Sequence, residues 1–233
     1  IITAPGIWHL DNYGNKLIAT IVDGATFEWD SDGSTSTRAT LVTSAPTATR
    51  QTLVSTPDRH LVFFGTETTI GTTSTQDDMY IRWSEQEDIN TYAPSATNTA
   101  GTQRLADGTR IIAAIKGRDA IYIWTNHALF IMRFVGAPFV FSFQQVGTGC
   151  GLIGKNAAVE VDGSAYWMSE NGFFRYTGKL ESLPCLVEDY VYDDLNTVPR
   201  NHIFAGLNNL FGEVTWFYPG SGAASNNRSV TYN

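Results

Sequence analysis

Little of this chain is charged. Asp, Glu, Lys and Arg make up 16% of its 233 residues, with Thr, Ser, Asn and Gly filling the difference. That composition disfavours both disorder and long solvated helices, and it suits strands and turns. Basic residues are the scarcer sign, 15 against 23 acidic, for a net charge of −8. A nucleic-acid-binding surface is therefore not expected. The acidic residues fall in short groups, so there is no acidic tail either. No apolar run approaches the roughly 18 residues of a membrane-spanning helix, and no basic-then-apolar signal segment opens the numbered chain. Cysteine occurs only at Cys150 and Cys185, too few for a disulfide framework. Each sits in an apolar or Gly-rich setting and is expected as an unpaired thiol, a single bridge being the alternative. The four histidines, His9, His60, His127 and His202, are scattered without ligand spacing, so neither a metal nor a cofactor is expected.

What is present is a repeated hairpin pattern. Residues 156–178, NAAVEVDGSAYWMSENGFFRYTG, contain three short β-prone runs separated by Asp162-Gly163 and Glu170-Asn171-Gly172. Asp-Gly and Asn-Gly tolerate the positive φ that tight hairpins need, and the flanks are β-branched and aromatic. The same strand–turn–strand grammar recurs at 16–30 around Asp23-Gly24, and again at 60–84, 110–134 and 203–218. Each unit carries a tryptophan: Trp29, Trp83, Trp124, Trp167 and Trp216, at intervals of 54, 41, 43 and 49 residues.

A meander sheet recurring every 40–50 residues is the signature of a β-propeller blade, because one small sheet must stack on its copies to hide its faces. The expected fold is all-β, a β-propeller-like repeat of antiparallel meander blades with one short helix. One domain over 1–233 is expected, with blades near 16–54, 58–101, 108–146, 152–183 and 200–233 and an entry segment at 1–15. The chain starts without Met and stops at VTYN in what resembles mid-strand, so a fragment of a longer protein is expected. The five tryptophans are assigned to one place in the repeat, as inter-blade core. A turn at 55–58 opens the second blade, the Thr-rich loop 67–78 should be exposed, and 136–143 should add an outer strand to the third. The helix is placed within 184–196, where Val187, Tyr190, Val191 and Leu195 fall at helical spacing between Pro184 and Pro199.

Candidate chemistry is sparse. Glu85, Glu87 and Asp88 form an acidic group without a neighbouring histidine in sequence, and such groups are more often solvated connections than catalytic acids. Asp30, Asp32 and Gly33 begin like a calcium loop, but Leu41 stands where its closing acid belongs. The glycine-dense 147–154, GTGCGLIG, lacks the spacing of a dinucleotide or phosphate loop. A tight backbone path explains it better. No catalytic residue is assigned.

Several longer words carry a resemblance: RWSEQED (82–88), TNTAG (97–101), GCGLIG (149–154), YWMSENGFFRYTG (166–178), LPCLVEDYVYDDLN (183–196) and EVTWFYPG (213–220). Together they resemble the tail nozzle, or tail stabilisation, proteins of short-tailed bacteriophages. The resemblance implies a non-enzymatic virion protein, assembled in the bacterial host cytoplasm into a homo-oligomeric ring, a hexamer. Such a ring lies below portal and adaptor, docks tail fibres or a needle, and lets genomic DNA pass without specific binding. The alternatives are a glycan-binding or glycan-cleaving propeller and a cellular adaptor propeller. The adaptor would carry Gly-His and Trp-Asp words in every repeat, whereas only Trp29-Asp30 fits.

Overall fold

A computed structural model describes residues 6–56 and 58–233. Residues 1–5 of the expected entry segment and Pro57 of the expected 55–58 turn lie outside the described residues. The fold is all-β and propeller-like: five antiparallel meander sheets and one α-helix. Sheet 1 contains β1 (Trp8–Tyr13), β2 (Lys16–Ile21), β3 (Thr26–Asp30) and β4 (Thr40–Leu41). Sheet 2 contains β5 (Gln51–Val54), β6 (Leu61–Phe64), β7 (Tyr80–Trp83) and β8 (Gly101–Arg104). Sheet 3 contains β9 (Ile111–Lys116), β10 (Ile121–Thr125), β11 (Ala128–Gly136) and β12 (Val140–Thr148). Sheet 4 contains β13 (Ala158–Val161), β14 (Ser164–Ser169), β15 (Gly172–Tyr176) and β16 (Leu180–Ser182). The helix α1 (Glu188–Asp194) follows, and sheet 5 contains β17 (Phe204–Asn208), β18 (Glu213–Tyr218) and β19 (Arg228–Tyr232).

The chain forms two compact units, one of residues up to Ile111 with Phe134–Ser142, the other of Ile112–Arg133 with Phe143–Asn233. In the first unit, β6 is buried on both faces. Phe63 meets Tyr92 edge-on at 5.5 Å and packs with Ile18 of β2, so sheets 1 and 2 cover one another. Trp83 lies on the opposite face of sheet 2, 5.3 Å from Phe141. In the second unit, sheet 4 is covered on both sides. Trp167 meets Trp124 of β10 at 5.4 Å, and Phe173 meets Trp216 of β18 at 4.9 Å.

Several expectations need correction. The first sheet begins at Trp8, not at 16, and Gln51–Val54 opens sheet 2 instead of closing the first blade. The Trp8–Tyr13 strand pairs residue by residue with β2 around Gly14, whose φ of 62° turns the hairpin. The tryptophans do not share one place: Trp29 and Trp83 lie on third strands, the other three on second strands. Four are buried, but Trp29 is half-buried. Its register with Leu17 puts it on the face of sheet 1 turned away from sheet 2, beside Phe27, where Trp8, Leu10 and Leu41 are exposed.

Of the turns, Asp162 and Gly163 both take positive φ, 50° and 84°, in a two-residue loop of type I′ character. Asp23 also turns at φ 57°, with Gly24 beside it at ordinary φ. The third turn is displaced by one residue. Ser169 pairs with Gly172, so Glu170 and Asn171 form the loop and Gly172, at φ 122°, is already strand. The outer strand of sheet 3 starts later than 136, at Val140, and runs to Thr148. In the helix only Val191 is buried; Val187 and Tyr190 are exposed, and Leu195 lies past its end in extended conformation. The 67–78 loop is exposed at Thr68, Thr69 and 71–74, but Ile70 is half-buried against the core and Glu67 is fully buried.

The indole N–H groups set up a direct test. Trp167 donates to the Cys150 carbonyl at 2.7 Å and Trp216 to that of Ala157 at 3.0 Å, whereas the buried Trp124 N–H has no hydrogen-bond partner among the described residues. Replacement by Phe removes comparable volume from each site, but Trp167→Phe, like Trp216→Phe, takes an indole donor from a buried carbonyl, whereas Trp124→Phe takes none. Trp167→Phe should therefore cost about 1–2 kcal/mol more than Trp124→Phe in chemical denaturation. Equal losses would show that the indole hydrogen bond contributes nothing.

Candidate functional site

A polar cleft of about 290 Å³ lies in the first unit. Its walls are the β1–β2 turn with Tyr13 and Lys16, Asp30 at the end of β3, Arg59 before β6, and Glu87–Asn90 after β7. Two non-glycine residues of the wall are held at positive φ, Arg59 at 47° and Glu87 at 61°. They belong to one another: the Arg59 guanidinium donates to a Glu87 carboxylate oxygen at 2.6 and 2.9 Å, and the Glu87 N–H donates to the Arg59 carbonyl at 3.1 Å. Tyr13 Oη donates to that same carbonyl at 3.1 Å. Burial first, and the Glu87 charge second, push the Tyr13 phenol up to about 12.

A buried polar relay ties the segment just before the Glu87–Asn90 wall, Glu85 and Gln86, to Asp58 and His60 through Thr99. His60 and Asp58, both buried, meet at 2.7 Å through Nδ1 and Oδ2, and Ser55 Oγ donates to the same carboxylate oxygen at 2.5 Å. His60 Nε2 lies 3.1 Å from Thr99 Oγ1. Thr99 in turn donates its N–H to Glu85 at 3.0 Å and accepts the Gln86 N–H at 2.8 Å. Burial alone would raise the Asp58 pKa. The hydrogen bonds from His60 and Ser55 outweigh it and hold the carboxyl below its ordinary value.

The structure therefore separates the acidic group read at 85–88. Glu85 is turned onto Thr99, Glu87 is tied to Arg59, and Asp88 receives the Asn90 N–H and Thr91 Oγ1 at 2.8 and 2.7 Å. Those bonds, the Asn90 N–H foremost, keep Asp88 below the usual carboxylate range. Only Glu87 and Asp88 line the cleft. Asp30 accepts the Asp32 N–H at 2.9 Å in a plain turn, and Asp32 is bonded to Asn15. Among the described residues, no three His, Cys, Asp or Glu side chains gather as a metal set. Among the described residues neither cysteine forms a disulfide; Cys150 is buried and Cys185 half-buried. None of the buried tryptophans lines this polar cleft; Trp216 borders a separate apolar cavity with Phe173 and Leu183.

Sequence reasoning missed three groups. The Asp58–His60 pair joins Thr99 across 39 residues, so no local spacing reveals it. Glu67 accepts bonds from Thr47 Oγ1 at 2.5 Å and Gly71 N–H at 2.7 Å. Arg82 is buried and donates to the Thr68 and Tyr92 carbonyls at 2.8 and 3.3 Å, while burial lowers its pKa. All three pin loops.

With the fold and cleft described, the class is plain: an all-β protein of propeller-like meander sheets. No protein-family model matches the chain, and no curated protein does. Solved structures do. The chain is similar to the extracellular domain of a hybrid two-component system from B. thetaiotaomicron, with a TM-score of 0.53 and 13% identity over 96% of this chain and 27% of that one. It is also similar to BamB from Moraxella catarrhalis (TM-score 0.44, 14% identity, 96% of this chain and 60% of that). Apo AztD from Citrobacter koseri gives a TM-score of 0.44 with 8% identity, over 97% of this chain and 72% of that. This chain thus spans about a quarter of the first structure, and the likeness is one of fold.

The relay predicts a specific acid sensitivity. A carboxyl whose folded pKa is depressed stabilises the fold above its unfolded pKa, near 3.9, and that contribution is lost as pH falls through the folded value. For Asp58 the window therefore opens near pH 4 and extends below it. Asp58→Ala should cost about 1.5–3 kcal/mol at neutral pH. It should also flatten the fall in stability below pH 4, measured by urea titrations at several pH values. An unchanged acid limb would remove Asp58 as its source.

Proposed function

We propose that this chain is a structural component of a bacteriophage tail of the nozzle or tail-stabilisation kind, working as a scaffold within a ring of copies. The observation that carries this reading is where the resemblance-bearing words fall. Tyr166–Gly178 forms the β14–β15 hairpin and its exit, with Trp167, Met168 and Phe173 buried. Glu213–Gly220 supplies β18, with Trp216 and Tyr218 buried. Within GCGLIG, a Cβ on Gly151 would lie 2.3 Å from the Asn126 backbone and one on Gly154 2.3 Å from the Arg200 carbonyl. These words specify packing, which suits a protein whose work is to hold shape under load.

The charge agrees with a conduit. Phosphate affinity comes from accessible Lys and Arg. Of the fifteen in the chain, Lys16, Arg50, Arg59, Arg104, Arg175, Arg200 and Arg228 are ion-paired with carboxylates. Arg82 is buried. What remains against a net charge of −8 makes a poor polyanion track. A second reading, a glycan-binding propeller, is favoured by the cleft of Tyr13, Asp30, Asp88 and Asn90. A phenol beside planar polar side chains suits a sugar.

Imaging of purified particles with a tag on this chain should place it in a symmetric ring at the tail; a label found elsewhere in the particle, or in none, overturns the proposal. The purified protein should also bind duplex DNA negligibly at physiological salt. Tight binding that weakens steeply with salt would contradict the conduit account. Saturable binding to a glycan array, lost in Tyr13→Ala, would favour the second reading.

A further inference from the structure

The charged side chains that line the polar cleft of the first unit are unevenly paired. Lys16 donates to Glu28 at 2.7 Å and Arg59 to Glu87 at 2.6 Å, so both cations of the wall are already engaged. Asp30 and Asp88 have no Lys or Arg partner among the described residues. Their bonds come from the Asp32 N–H in one case and from Asn90 and Thr91 in the other. Such donors reduce a carboxylate's basicity without cancelling its charge. The cleft therefore keeps two negative charges that the fold leaves unbalanced.

Behind the same wall lies a polar atom that the fold does not satisfy. Tyr92 is 2% exposed and packs with Ile89 and Tyr13, and its Oη has no hydrogen-bond partner among the described residues. Burial first, then Asp88 and Tyr13, push its phenol up, which sets the orphaned hydroxyl beside two residues of the cleft wall. A buried hydroxyl without a partner is rare and calls for a water or an occupant nearby. On the open side, Tyr13 is half-buried and its hydroxyl is spent on the Arg59 carbonyl. What it offers a ligand is its ring. The 290 Å³ of the cleft lies at the low end of small-molecule sites, roughly 300–1,000 Å³, which suits a single sugar unit.

We infer that this cleft binds an amino sugar, its ring against Tyr13 and its ammonium group in the field of Asp30 and Asp88. The inference rests on the glycan reading of the cleft and adds the sign of the ligand's charge. The two carboxylates divide the work. Asp88 supplies charge alone, because its oxygens are taken up by Asn90 and Thr91. Asp30 is exposed at the end of β3, and its second oxygen has no partner among the described residues, so it makes the contact. An acidic sugar would meet both carboxylates while Lys16 and Arg59 are held elsewhere. A metal ion is no substitute, because no three His, Cys, Asp or Glu side chains gather among the described residues.

The test keeps the sugar ring constant and varies one substituent. Glucosamine, N-acetylglucosamine, glucose and glucuronate, each as its methyl glycoside, are titrated into the unmodified protein by calorimetry. Glucosamine should bind about tenfold more tightly than glucose or N-acetylglucosamine, and glucuronate most weakly. Asp30→Asn should erase the advantage of the amine and leave glucose binding in place. Asp189→Asn, at an exposed position of α1, changes the net charge equally and should leave the preference intact. Equal binding of glucose and glucosamine would overturn the inference while the glycan reading stands, and binding by none of the four would remove both. Methylamine binding as tightly as glucosamine would overturn it by showing no need of a sugar. The same loss in Asp189→Asn would overturn it by showing a response to net charge alone.

Discussion

A sheet of three or four short strands has two faces and cannot cover either by itself. That burial requirement underlies the rest of the structure. Sheet 4 meets it fully, with Trp167 against Trp124 on one face and Phe173 against Trp216 on the other. Close approach of large rings then dictates where side chains must be absent. A Cβ on Gly101 would fall 2.2 Å from the Trp83 ring, so the first residue of β8 has to be glycine. Gly151 answers the same need where the chain passes the Asn126 backbone. The glycine-dense link before sheet 4 is a consequence of packing, as is the Ala-Gly that opens β8.

Burial of sheets leaves the connections to be fixed, and polar groups do this. An ionisable side chain taken out of water is costly unless each of its atoms finds a partner. Asp58 has His60 and Ser55, Glu67 has Thr47 and Gly71, and Glu85 has Thr99. Thr47 and Thr99 reach these carboxylates from 20 and 14 residues away, whereas the bonds from His60, Ser55 and Gly71 close local turns; in both cases satisfying the charge also orders the loop. The positive φ values at Arg59 and Glu87 persist because the relay beneath and the ion pair above both hold the backbone there.

The period-two patterns and turn dipeptides reveal the hairpins well, since both are local. Asp162-Gly163 is a two-residue loop with positive φ at both positions, and the strands around it pair as the alternation implies. What failed was non-local. Trp29 looks like Trp83 in sequence, both closing a strand, yet one face of a strand is covered only if another sheet lies against it. Trp8–Tyr13 was missed because WHLDNY alternates exposed with half-buried positions and never presents a fully apolar side. The His60 relay was invisible for a related reason: its partner Thr99 lies in a polar run, TNTAG, with nothing local to mark it.

Perturbed acids often mark active sites, because catalysis needs groups held away from their ordinary pKa while still open to a substrate. The perturbations here have another origin. Asp77 sits low because the Met79 N–H and Arg104 outweigh its burial. Asp58 and Asp88 are lowered in the same way, by bonds to their own surroundings. A carboxylate whose lone pairs are taken up by backbone N–H groups and hydroxyls has little basicity left to offer a ligand. Its depressed pKa measures how firmly it anchors a loop. The electrostatic work of these groups goes into keeping connections rigid, and the cleft at Tyr13 lies between connections held in this way.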